Sequence, residues 1–102
     1  MTERAHLPDL DGTPHANVFP ESEPKTVRLT LDAGEGVAPH RHPGRSVVLY
    51  VLDGSIELGL DDETHSLGRG DIVRFDGDRE IAPLANEAST ALVVLAPTAD
   101  EG

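Results

Sequence analysis

The chain of 102 residues has no cysteine and no tryptophan, and its only aromatic residues are Phe19, Tyr50 and Phe75. Without cysteine it holds no disulfide, thiolate zinc site, iron–sulfur cluster or cysteine nucleophile, and this composition points to an intracellular protein. With so few rings the core has to be aliphatic, built from 24 valine, leucine and isoleucine residues. No apolar run is long enough for a membrane span, and the opening MTERAHLPDLDGT lacks the apolar stretch of a signal peptide. A cytoplasmic protein with no membrane partner is therefore expected. Positive charge is also scarce: Lys25 is the single lysine, and 8 basic against 19 acidic residues leave a net charge of -11. Such a chain repels phosphate backbones, which argues against nucleic-acid binding. Ten aspartates with one lysine suit a halophilic protein kept soluble in concentrated salt, where screening shortens the range of self-repulsion. A mildly acidic protein from a GC-rich genome has the same composition.

What the chain does have is apolar residues at period two. Residues 1–24 show little periodicity and carry Pro8, Pro14, Pro20 and Pro24, which reads as an extended N-terminal arm. From Lys25 the pattern changes: Val27, Leu29 and Leu31 alternate with Thr26, Arg28 and Thr30, as in a half-buried strand. VAPHRH (37–42) reads as a short strand made irregular by Pro39. SVVLYVL (46–52) is apolar on both faces, and Asp53-Gly54 predicts a tight type I′ hairpin with SIELGLD (55–61) returning beside it. Further short strands are expected at THSL, IVRFD, EIAPLA and TALVVLAP, and residues 98–102 form a frayed tail. Eight or nine strands at near-regular spacing without a helix indicate an all-β sandwich or barrel over 25–97. The strands 46–52 and 90–96 are apolar on both faces, so something must cover their outer sides. The arm or a second subunit would do so, and the second option gives a homodimer.

The order of these motifs resembles the cupin superfamily, in its small single-domain (cupin type 2, RmlC-like) form. The family's first motif, G-x5-H-x-H-x3-4-E-x6-G, is matched by Gly34, His40, His42 and Gly54, the last in the context YVLDG. Its second, G-x5-P-x-G-x2-H-x3-N, begins at Gly70-Asp71. The acidic, lysine-poor composition looks like that of haloarchaeal members. The resemblance implies a double-stranded β-helix, a jelly roll of two packed antiparallel sheets that is often dimeric. It also implies a metal held by two histidines and a glutamate of the first motif and a histidine of the second. Here the carry-over breaks. Ser46 or Val47 stands where the glutamate belongs, and Asp76, Asp78, Ile81 and Ala85 stand at the proline, glycine, histidine and asparagine positions.

His40 and His42, at i and i+2, share one face of a strand and would offer two imidazoles to a divalent transition metal such as Zn, Ni, Fe, Mn or Cu. Two ligands are fewer than the three usual in a catalytic zinc site. A third could come from His65, or from Glu80 if a one-residue bulge turned it inward in place of Ile81. Val47 and Ile81 would line the pocket and Arg79 its rim, where a guanidinium can grip a carboxylate or phosphate. His6 and His15 read as solvated arm residues, with the alternative that the arm folds over the barrel mouth. Arg69-Gly70-Asp71 is a glycine corner of the motif, Asp76-to-Glu80 lacks the glycine of a calcium loop, and no G-x-S-x-G occurs.

Three functions remain open at this point. The first is a module binding an unknown small molecule in a barrel whose metal site has degenerated. The second is a metal-dependent enzyme of oxygenase or isomerase type using His40 and His42. The third is a dimeric interaction or regulatory domain.

Overall fold

The computed structural model describes residues 2–98, so all of the expected tail except Thr98 lies outside the described residues. Among the described residues eight strands form two antiparallel sheets: β1 (His15–Asn17), β2 (Lys25–Leu31), β3 (Arg45–Asp53), β4 (Ser55–Leu60), β5 (Glu63–Gly68), β6 (Ile72–Asp76), β7 (Ile81–Ala85) and β8 (Ser89–Pro97). The larger sheet runs β1-β2-β8-β3-β6 and the smaller β5-β4-β7. This is the jelly roll that the motif order implied. Its only helical element among the described residues is a 3-10 turn at Leu7–Asp9.

The alternation read from the sequence becomes the two faces of each sheet. Val27, Leu29 and Leu31 of β2 stand opposite Val93, Ala91 and Ser89 of β8, while Val47, Leu49 and Val51 of β3 meet Leu95, Val93 and Ala91. Ile56, Leu58 and Leu60 of β4 face them from the smaller sheet, together with Ile81 and Ala85 of β7. Val47, Leu49, Val51 and Leu58 are wholly buried, so an aliphatic core closes without aromatic help beyond Phe75. Burying such side chains contributes roughly 1.5–3 kcal/mol each.

Asp53-Gly54 does not make a hairpin. β3 and β4 lie in different sheets, and a register shift between Val51 and Asp53 precedes the corner where the chain crosses from one sheet to the other. Gly54 has a φ of 96°, and a Cβ there would lie 2.2 Å from Ser89 Oγ, the atom that accepts a 2.9 Å hydrogen bond from the Ser55 amide. A glycine that serves a tight turn serves a close crossing equally well, which is why the dipeptide misled. The actual hairpin is β4–β5 across Asp61-Asp62, where Asp61 takes a φ of 55°.

Residues 37–42 form no strand of their own. Gly36 and His40 each make one isolated bridge to the edge of β7, at Leu84 and Ile81, and the segment follows that edge. The arm is more ordered than its composition implied. Its residues 15–17 pair with β2, bounded by hydrogen bonds from the Thr30 amide to Pro14 O (2.7 Å) and from the Val18 amide to Thr26 O (2.8 Å).

The arm is fastened from the outer face by Arg28. This side chain, on the face of β2 away from the core, is buried, and its guanidinium donates to the carbonyls of Leu7 and Gly12, the latter at 3.0 Å. Its Nε is buried with no partner among the described residues. A charge out of water is costly unless it is hydrogen-bonded, so this cation holds the arm down over the sheet. The arm thus covers one end of the outer face. The remainder stays open: Val48, Tyr50, Leu92 and Val94 are half-buried, and Ile72, opposite Tyr50, is 62% exposed.

Replacing Arg28 by Met should release the arm at a cost of about 1.5–3 kcal/mol, the range for hydrogen bonds to a charged group. Hydrogen exchange at the Val18 and Thr30 amides should accelerate while the β3 amides keep their protection. Unchanged exchange at Val18 and Thr30 would refute the strap.

Candidate functional site

Between the two sheets lies a cavity of about 200 Å³. Its floor is apolar: Val27 and Leu29 from β2, Leu49 from β3, Val93 and Leu95 from β8, and Ile81 and Pro83 from β7, with Val37 from the connecting segment. Its polar lining is His15, Asn17 and Lys25, which are exposed, and His40 and His42, which are half-buried. Register explains the grouping. His15 and Asn17 stand opposite Leu29 and Val27, so both point to the inner side, and Lys25 shares the parity of Val27 and Leu29.

The histidine pair is placed by backbone hydrogen bonds rather than by a strand. His40 and Ile81 exchange both bonds, His40 N to Ile81 O at 3.0 Å and Ile81 N to His40 O at 2.8 Å, and the His42 amide donates to Gly77 O at 2.7 Å. Gly77 is there because nothing larger fits: a Cβ would lie 2.1 Å from the His42 carbonyl oxygen. The two rings stand edge to face, with centroids 4.8 Å apart and planes at 88°. His40 Nδ1 lies 2.7 Å from Ala38 O, and since a carbonyl only accepts, Nδ1 carries the proton and leaves Nε2 as the free lone pair of the neutral ring.

Partial burial is the main cause holding the His42 imidazole below its ordinary pKa, followed by His40, Lys25, His15 and Arg45 nearby. His15 is shifted the same way, first by burial, then by His40 and Lys25. At neutral pH both rings are therefore largely uncharged, able to donate and accept.

Of the residues singled out from the sequence, the structure brings His40, His42 and Ile81 together at this cavity and leaves the others elsewhere. Val47 is wholly buried between Leu95 and Phe75 and is a core residue, not a pocket wall. Glu80 does not replace Ile81. The two-way bond with His40 keeps Ile81 inward, while Glu80 is exposed and its amide donates to Asp61 Oδ1 at 3.0 Å. His65 shares the inward parity of Leu67, but on the edge strand β5 it remains exposed and faces Glu63 at 3.3 Å. Arg79 binds Asp61 at 3.0 Å and Glu63 at 2.9 Å, tying the β4–β5 turn to the chain before β7, and does not line the cavity. Sequence reasoning missed His15, Asn17 and Lys25. The parity of Lys25 with Val27, Leu29 and Leu31 was a usable signal for one of them, whereas a strand of three residues gives no periodicity to read.

The donor set does not fit the metal that the motif resemblance implied. No cluster of three or more histidine, aspartate or glutamate side chains suited to an ion occurs among the described residues. Ile81 and Val47, at two of the four expected ligand positions, offer no lone pair. His40 and His42 alone fall short of the three protein ligands usual in a catalytic site.

Three solved structures show how widely this architecture is shared. KdgF from Halomonas sp. is 23% identical over 91% of this chain and 89% of its own, with a TM-score of 0.75. A conserved protein of unknown function from Streptococcus pyogenes is 27% identical over 83% of this chain and 75% of its own, with a TM-score of 0.70. An RmlC-like cupin from Shewanella frigidimarina superposes with a TM-score of 0.79 over 99% of this chain and 96% of its own, at 17% identity. At the identities of the first and third, likeness speaks for fold alone. None of the curated proteins compared with the chain matches it. A family model described as the cupin domain matches residues 27–97, from within the second strand to the end of the last, and the chain belongs to that family.

Proposed function

We propose that the protein is a small-molecule-binding module that takes its ligand into the cavity between the sheets. The observation that carries this reading is the division of the cavity into an aliphatic floor and a polar rim, the usual make-up of a ligand pocket. Apolar cavities of about 150 Å³ accept benzene, so a volume near 200 Å³ suits a single ring or a short branched chain with a polar end. His40, with Nε2 free, and the uncharged His42 would supply hydrogen bonds that orient it.

Val93, half-buried on the central strand β8, lines the cavity from the middle of the sheet. Val93→Phe should fill the space. Ligand-observed NMR and thermal shift with one-ring compounds should then find binding in the wild type and at least tenfold weaker binding in the variant, with melting temperatures of the two free proteins within a few degrees. Filling existing space costs less than the roughly 1–3 kcal/mol of forced overpacking. A variant that binds as well as the wild type, or a wild type that binds nothing of this size, would sink the reading.

A metal-dependent oxygenase or isomerase would need a third ligand beside His40 and His42. Elemental analysis of untagged protein is expected to find no stoichiometric metal. One equivalent of metal that disappears in His40→Ala would favour the enzyme instead.

A second copy of the chain is proposed to cover the open part of the outer face, where Ile72 stands exposed beside Tyr50. Light scattering after size-exclusion in high salt should return a dimer that Ile72→Asp converts to monomer. A wild-type monomer would leave that face without this role.

A further inference from the structure

We propose that the ligand is an anion on an apolar body, a monocarboxylate of about the size of benzoate, with its charged end held by Lys25 beside His15 and Asn17. The inference rests on the cavity reading above and adds the ligand's chemical class.

The rim is opposite in sign to the chain that carries it. Acidic residues outnumber basic ones 19 to 8 in this chain, yet no acid lines the cavity, and each titratable side chain that does is a base. The only lysine of the chain is one of them. A rim formed at random from this composition would be acidic. Since the net charge of -11 repels anions in general, recognition of one requires a local field opposed to that of the whole molecule.

The lysine's ammonium, moreover, makes no close ion pair with the described residues. Among the described residues no carboxylate oxygen lies within 4.0 Å of the Lys25 ammonium. Glu21 and Glu23 line a neighbouring groove that Lys25 also borders. Glu23 is engaged elsewhere: Arg45 holds both its oxygens, at 2.6 Å and 3.2 Å. The Arg45 hydrogen bond leads the lowering of that carboxylate's pKa, to which Lys25 adds a backbone hydrogen bond and, as the weakest cause, its charge.

Lys25 opens β2 on its inner face, opposite Leu95, and Asn17 is paired with Val27, the next residue of that face, so the two are diagonal neighbours across the strand pair. His15 follows, opposite Leu29. These groups offer an ammonium, an amide and an imidazole along one edge of an aliphatic floor. A carboxylate there would keep charge-assisted hydrogen bonds at the partly exposed rim while its apolar body left water. His15 and His42, held largely uncharged first by partial burial, would serve such an anion as neutral hydrogen-bond donors, with Lys25 carrying the charge.

The test compares benzoate, benzamide and benzylamine on the full chain at pH 7.5 and moderate salt, by ligand-observed NMR titration. Benzoate should bind most tightly and benzylamine least. Lys25→Gln should weaken benzoate by roughly ten- to a hundredfold, as expected for a hydrogen bond to a charged group, and benzamide by less than threefold. Lys25→Arg should retain the preference, and Arg69→Gln, an exposed cation that does not line the cavity, should leave it unchanged. If benzamide or benzylamine binds as well as benzoate, or if Lys25→Gln keeps the preference, the anion is overturned while the cavity reading stands. If none of the three binds, both fall.

Discussion

The paired hydrogen bonds between His40 and Ile81 decide what the cavity is made of. A strand edge has two registers available to a neighbouring segment, and a slip of one residue would exchange its faces. In the observed register His40 and Ile81 both look inward, and Glu80 looks outward. The close approach of Gly77 to the His42 carbonyl fixes the other end of the same segment, because no side chain fits between them. These few backbone contacts produce a rim with imidazoles on one side and the branched aliphatic wall of Ile81 on the other. The chemistry of the site follows from that register, with no contribution from residues 37–42 as a regular strand.

A second constraint works from outside the barrel. Arg28 faces away from the core and still governs the rim, because the arm it holds carries His15 and Asn17 to the inner side of the sheet. The outer face, the arm and the cavity are in this way one mechanical unit. Charge is distributed along the same division: carboxylates lie over the outside of the molecule, and bases gather where the arm meets the cavity.

Much of the barrel was legible in the sequence because its strands alternate cleanly. Val27, Leu29 and Leu31 announce the buried face of β2, and Ile56, Leu58 and Leu60 that of β4. The place of Ile81 was legible too, as it does line the cavity beside His40 and His42. What escaped depended on distant contacts. Asp53-Gly54 has the residues of a hairpin but lies where the chain changes sheets, a choice set by Ser89 and the bulge in β3 rather than by the dipeptide. His15 was hidden because three residues of strand cannot show a period, and its place comes from pairing with β2, a contact distant in the sequence. Arg79 looked like a rim residue until Asp61 and Glu63, neighbours only in the folded chain, claimed it.

The two positions where metal ligands are missing are unequal in their surroundings. Ile81 stands at the cavity wall with His40 across from it, so a coordinating side chain there would meet open space and a partner. Val47 is packed between Leu95 and Phe75 with no exposure at all, and a carboxylate in its place would be a buried anion without a counter-charge. Restoring the first ligand is therefore a local change, whereas restoring the second requires rebuilding the core around it. The two positions thus differ in what the packing admits: the barrel tolerates a polar side chain at the cavity wall and resists one in the closed core of β3.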